Sequence, residues 1–135
     1  MTSRAILDTN VVVSGVFWKG PPFEILKAWQ ERRFRLVISL PILYEYRRVL
    51  EELTKKRSAV LGSILELIEF HSEIVGPVRF AKTVCTEPDD DKFLEAAVAA
   101  GADYVVSGDA ALLKLTEYHG IQIVRPAHFL KLLLK

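Results

Sequence analysis

The chain has 135 residues, half of them hydrophobic and 26% charged, with 18 Lys or Arg against 17 Asp or Glu. At roughly 100–200 residues per domain this length predicts a single domain, 1–135, and the composition excludes a disordered tail, a collagen-like repeat and a low-complexity tract. A lone cysteine, Cys85, excludes an intrachain disulfide and a thiolate metal centre, and a net charge of +1 excludes binding driven by bulk charge alone.

The N-terminal Met1-Thr2-Ser3-Arg4 leads into an apolar run that meets Asp8 almost at once. That run is too short for a signal-peptide core, and no run approaches the roughly 20 apolar residues that span a bilayer. The expectation is a soluble cytoplasmic protein with no membrane partner. Ala5-Ile6-Leu7 does not alternate, so it predicts a strand buried on both faces, ending at Asp8-Thr9-Asn10. Val11-Val12-Val13 follows, and Ser14-Gly15 leads into a loop through Lys19-Gly20-Pro21. Pro22 to Arg32 predicts a helix, with proline in its first turn and Phe23, Ile25, Leu26 and Trp29 as an apolar stripe. Leu36-Val37-Ile38 is a second strand. Ser39 is positioned to cap a helix that turns Ile42, Leu43, Tyr46, Val49, Leu50 and Leu53 inward.

Lys55-Lys56-Arg57-Ser58 breaks the pattern, and Ser58 is a second candidate cap, for a helix carrying Val60, Leu61, Ile64, Leu65 and Ile68. Ile74-Val75 before Gly76-Pro77 predicts a short strand. Asp89-Asp90-Asp91 opens a helix with Phe93, Leu94, Ala97 and Val98 on one face, closed by Gly101. Tyr104-Val105-Val106-Ser107 is a strand, Asp109 begins a short helix to Leu115, Ile121–Val124 is the last strand, and Pro126 to Leu134 a closing helix. Strand and helix alternate from end to end. The order predicts an α/β fold, a three-layer α/β/α sandwich around a mostly parallel sheet. In such a sheet ligands sit outside the carboxyl ends of the strands, where Asp8 and Asp109 both fall.

Four acids stand out as candidates. Asp8 leaves a buried strand, where a desolvated carboxylate costs several kcal/mol unless a cation or hydrogen bond satisfies it. Glu45 shares a helix face with Ile42 and Val49. Asp91 belongs to a run of three aspartates, more than one helix cap requires. Asp109 follows a strand. Hard cations such as Mg²⁺ or Mn²⁺ prefer carboxylate oxygens, and carboxylates gathered in one crevice repel each other until a cation joins them. His71, His119 and His128 are scattered and make no metal pattern. The phosphate loop G-x-x-x-x-G-K-[ST], the dinucleotide fingerprint and the G-x-S-x-G elbow are all absent.

Ile6-Leu7-Asp8-Thr9-Asn10, Ser39 to Glu45, Asp91 to Ala97 and Val106-Ser107-Gly108-Asp109 resemble, in order and spacing, the motifs of the PIN-domain ribonucleases. The nearest branch is the toxins of VapBC-type toxin–antitoxin pairs, whose closing strand and helix Ile123 to Leu130 resembles. The resemblance implies Mg²⁺- or Mn²⁺-dependent cleavage of RNA. It places the family's four acids on Asp8, Glu45, Asp91 and Asp109, with Asn10 and Ser107 as small polar supports. Among the aspartates, Asp91 fits the spacing to Leu94 and Ala96, and Asp90 is its alternative. The resemblance also implies a homodimer and a cognate antitoxin protein that blocks the site.

The expected activity is therefore a metal-dependent endoribonuclease in which an activated water attacks the phosphodiester, leaving a 5′-phosphate and a 3′-hydroxyl. The alternatives are a catalytically weak RNA- or antitoxin-binding module and a small-molecule phosphatase. Charge is unevenly placed. Residues 19–57 hold ten Lys or Arg against five acids, whereas residues 87–109 hold seven acids against Lys92 alone. The basic segment, with Arg33, Arg35, Arg47 and Arg48 foremost, is a candidate rim for the RNA backbone. Phe17 and Trp18, in the glycine-flanked loop, are candidates for contact with another chain.

Overall fold

β1 (Arg4–Leu7) explains why the sheet lies in the middle of the molecule. Successive strand side chains point to opposite faces, yet Ala5, Ile6 and Leu7 are all fully buried, so both faces of β1 are covered. The computed structural model describes residues 2–54, 61–76 and 78–134. After β1 come α1 (Thr9–Phe17), α2 (Pro21–Gln30), β2 (Arg35–Ile38), α3 (Leu40–Thr54), α4 (Leu61–His71) and β3 (Glu73–Ile74). A single 3₁₀ turn, Pro88–Asp90, then leads into α5 (Asp91–Ala100), β4 (Tyr104–Val106), α6 (Ala110–Leu113), β5 (Glu117–Tyr118), β6 (Ile121–Val124) and α7 (Pro126–Leu133).

The strands order as β3-β2-β1-β4-β6-β5, with every pair parallel except β5 and β6. Helices sandwich this sheet, giving the α/β sandwich expected from the alternating elements. From β1 the chain builds outward through β2 to β3; from β4 it builds the other way to β6. The crevice between the carboxyl ends of β1 and β4 is thus the switch point of the sheet, the position where open α/β sheets place their ligands.

Several elements differ from expectation. The segment expected to loop from Ser14 is helix as far as Phe17. Three successive valines form helices weakly, but Val11, Val12 and Val13 are all buried and α1 packs on α2 and α3, so packing outweighs propensity. Gly15 lets α1 and α2 touch: a Cβ there would stand 2.6 Å from Leu26 Cδ1 and 2.8 Å from the Pro22 oxygen. Ser39 does reach the first turn of α3, its Oγ accepting from Ile42 N at 3.5 Å. Leu53, expected inward, is exposed because the last turn of α3 runs past the core. The short helix after Asp109 ends at Leu113 rather than Leu115.

β5 was not anticipated. It is two residues long and pairs with β6 across a turn at His119 and Gly120, whose φ values are +51° and +83°. The expected cap Ser58, Val60, the basic run Lys55-Lys56-Arg57 and Pro77 lie outside the described residues. Among the described residues no helix is long and apolar enough to cross a membrane.

Candidate functional site

Asp8 begins the site. It is the N-cap residue of α1, yet its side chain makes no capping bond. Instead Oδ2 accepts a 2.7 Å hydrogen bond from Ser107 Oγ at the end of β4. The same Ser107 oxygen accepts from Asp109 N at 2.9 Å, so one buried hydroxyl ties the two strand ends together. Asp109 in turn caps α6, its Oδ1 accepting from Ala111 N at 3.3 Å. Burial pushes the Asp8 carboxyl above its ordinary range, the charges of Asp109 and Glu45 add to the rise, and the Ser107 hydroxyl opposes it. Asn10 is exposed on the first turn of α1, and only its main-chain N–H approaches Asp8.

The run of aspartates divides its labour. Asp91 is buried, and its carboxylate accepts from the main-chain N–H groups of Val84 at 3.0 Å and Cys85 at 2.7 Å. It pins the 84–85 segment against the start of α5. Asp90 lies near enough to Asp109 and Asp8 for their carboxyls to act on it. Burial first, and then these two neighbours, push Asp90 up to about 7. Spacing favours Asp91 as the third acid of the crevice; its carboxylate is taken up by main-chain N–H groups, while the alternative, Asp90, is the one under the influence of Asp109 and Asp8. The Cys85 thiol is pushed up to about 12 by burial and by Asp91, which makes it an unreactive core group.

Glu45 completes the crevice from α3, where it is half-buried. Its Oε2 accepts from the Thr9 hydroxyl, and its Oε1 lies 2.7 Å from Lys92 Nζ. Lys92 also pairs with Asp89 Oδ2 at 2.9 Å and donates to the Asp89 main-chain oxygen at 2.7 Å. These carboxylates hold the Lys92 ammonium above its ordinary pKa against the opposing effect of burial. Beneath them the buried Tyr46 hydroxyl donates to the Leu7 carbonyl, its own pKa raised by burial and by Asp8 and Glu45. Sequence reasoning missed Thr9 and Lys92. The signal for Lys92 was its position as the one base among seven acids in residues 87–109.

Asp8, Glu45, Asp109 and Ser107 thus share one crevice with Asp90 beside them, while the Asp91 carboxylate is engaged by the 84–85 main chain. Among the described residues, no three acidic, histidine or cysteine side chains stand close enough together to hold a metal ion as they are placed, so binding one would draw the crevice acids inward. The rim arginines scatter. Arg48 lies close enough to lower the pKa of Asp89. Arg47 is half-exposed and pairs with Glu69 across α3 and α4. Arg35 opens β2 in register with Arg4, the first residue of β1, so it stands at the opposite end of the sheet from Asp8. Arg33 NH2 reaches the Leu133 carbonyl at 3.4 Å. Phe17 is half-buried against the core, while Trp18 stacks edge-on to it and is 56% exposed.

A family model, described as PIN domain, matches residues 4–111, from the first residue of β1 to the second residue of α6. A comparison with curated proteins finds no match.

Proposed function

The chain belongs to the PIN-domain family, and from that premise we propose that it is a divalent-metal-dependent endoribonuclease. PIN domains are generally nucleases, hydrolases of phosphodiester bonds, and typically bind divalent metals. The observation that carries the finer reading is the buried Ser107 hydroxyl that joins the Asp8 carboxylate to the Asp109 main chain at the switch point, with Asp90 close by. Burial and the neighbouring Asp109 push the Asp90 carboxyl up to about 7, a crowding of acids that a bound cation would relieve. The donor set is all carboxylate oxygen, with no histidine or thiol, which fits Mg²⁺ or Mn²⁺ rather than a softer metal.

Asp8, Asp90 and Asp109 are the residues that would hold the ion. When bound, it supplies an activated water and stabilises charge developing on the phosphoryl group. Ser107 fixes the Asp8 carboxylate and the main chain of Asp109 at once, so both strand ends keep their aim. Asp91 holds the 84–85 segment against α5 and thereby fixes the helix start from which Asp90 projects. Thr9 and Lys92 orient Glu45. Arg48 lies on the crevice side, where a phosphate backbone would run.

The resemblance of the four motifs to VapBC-type toxins supports a toxin that dimerises and is blocked by an antitoxin. The exposed Trp18 and Phe23 offer apolar surface for one of these associations. Sedimentation of the purified chain checks the dimer, and co-expression with any short reading frame directly upstream checks the antitoxin. The activity itself is tested on a mixed-sequence RNA with Mg²⁺ or Mn²⁺ against EDTA. Metal-dependent cleavage, lost in Asp8→Asn, is the expected result. RNA bound but uncut under every metal would make the chain a binding module. Hydrolysis of a phosphomonoester with RNA untouched would make it a phosphatase.

A further inference from the structure

Lys92 is a cation already present inside the acidic crevice. Its side chain is 12% exposed and that of Glu45 is 15% exposed. An ammonium has three donors, and here each has an acceptor: Glu45 Oε1 at 2.7 Å, Asp89 Oδ2 at 2.9 Å and the Asp89 main-chain oxygen at 2.7 Å. The other Glu45 oxygen accepts from the buried Thr9 hydroxyl, so both oxygens of Glu45 are engaged by this chain's own groups. Nζ also stands 5.1 Å from the centre of the buried Phe93 ring, which packs against the end of the lysine stem. Asp90, which ends the 3₁₀ turn, thus lies under the influence of Asp8 and Asp109, while Lys92, in the first turn of α5, reaches Glu45.

We propose that Lys92 takes the place of a second metal ion in this crevice: one divalent ion binds at Asp8, Asp90 and Asp109, and Glu45 anchors the ammonium instead of ligating metal. The inference rests on the metal reading proposed above. A second ion at Glu45 would have to displace a half-buried ammonium from all three of its acceptors, leaving it unpaired beside a dication. In a poorly solvated crevice that repulsion is far stronger than at an open surface. The crevice carries its second positive charge permanently, without recruiting it from solution.

The test is the stoichiometry of Mn²⁺ on the metal-free full chain, measured by calorimetric titration and by counting free Mn²⁺ with electron paramagnetic resonance. Wild type is expected to take one ion per chain. Glu45→Gln, which still offers Lys92 an oxygen, should also take one, with affinity within about threefold of wild type. Lys92→Met should uncover a second, weaker ion that disappears again in Lys92→Met/Glu45→Gln, and Lys92→Arg should return to one. Two ions on wild type, or a tenfold or greater loss of affinity in Glu45→Gln, would overturn the inference while leaving the metal site standing. No Mn²⁺ on folded wild type would overturn the metal site itself and the inference with it. Should Lys92→Met fail to fold, the Glu45→Gln affinity decides the matter alone.

Discussion

The two ends of the central sheet hold charge at different depths: at the amino end even the Arg4–Glu73 ion pair is about one-third exposed. At the carboxyl end, between β1 and β4, Asp8, Glu45, Asp90, Asp109 and Lys92 are buried or half-buried, and side chains reach across strands and helices to satisfy them. At the amino end, Arg32, Arg35 and His71 stand exposed around an open cavity of about 590 Å³ floored by Trp29 and Phe34. Among the described residues neither Arg32 nor Arg35 forms an ion pair. Exposed charge needs no partner and contributes little to stability, whereas buried charge persists only with specific compensation. The contrast teaches where to look: the end at which charge is costly is the end that holds the candidate site.

The largest expected effect comes from breaking the costly end at its centre. Asp8→Asn removes a charge and almost no volume. Losing an interaction that contributes several kcal/mol to phosphoryl charge stabilisation, at 1.36 kcal/mol per factor of ten, should slow RNA cleavage by at least about a hundredfold. The metal-free fold should be as stable as wild type or more so, because burial disfavours the Asp8 charge. Single-turnover cleavage and urea unfolding check the two halves. An inactive variant that is also unfolded would turn Asp8 into a structural residue.

The neighbouring aspartates sharpen the comparison within a few ångströms. Asp91→Ala takes the acceptor from both the Val84 and the Cys85 N–H groups, a loss of roughly 1–3 kcal/mol per buried group left unpaired. Asp90→Asn should leave the metal-free fold at neutral pH as stable to urea as wild type or more so, because burial disfavours the Asp90 charge, while abolishing Mn²⁺ binding. Measured side by side, the pair separates stability from metal affinity. If instead Asp91→Asn lost the metal and Asp90→Asn kept it, the spacing of the motif would have outweighed the geometry.

Much of this was legible beforehand because it is local. Leu36–Ile38 and Ile121–Val124 are short apolar runs between turn signals, and both are strands. Ser39 is followed by proline and an inward stripe, and a helix begins there. What could not be read depends on distant partners. The three aspartates are equivalent until the 84–85 segment folds back and claims Asp91. Lys92 resembles any surface lysine until α3 brings Glu45 to it. Val11-Val12-Val13 looks extended until α2 and α3 cover it. The β5–β6 hairpin was readable and went unread. His119-Gly120 is the kind of dipeptide a two-residue turn with both φ values positive requires, but flanking strands of two residues give no alternation to notice.

pH offers a milder probe of the same end. In the folded chain Asp90 is pushed up to about 7 from 3.8. The folded state therefore holds that proton more tightly than the unfolded state. Its contribution to stability is full below about pH 4 and is lost as pH rises through 7. Asp8 is shifted in the same direction, while the lowered pKa of Asp89 acts only below 3.8. Metal-free protein should become less stable to urea between pH 4 and 7, whereas Mn²⁺ affinity should rise across the same window. Asp90→Asn should flatten both slopes. A wild-type stability that climbs from pH 4 to 7 would contradict the placement of Asp90.

The smallest effect asks whether the cheap end takes part at all. Arg48 and Arg35 are both exposed, both on the basic segment, and differ in which end of the sheet they face. A phosphate contact is worth about one unit of the slope of log affinity against log salt, so Arg48→Ala should weaken RNA binding a few-fold at low salt and reduce that slope by about one. Arg35→Ala should change neither, and both variants should unfold within about 0.5 kcal/mol of wild type. Binding of an uncleaved RNA to an Asp8→Asn background, measured across a salt series, isolates the term from turnover. Equal losses at Arg48 and Arg35 would mean that the RNA tracks from the acidic crevice around to the amino end. The two ends of the sheet would then be one continuous surface, with the basic cavity serving the same substrate as the acids.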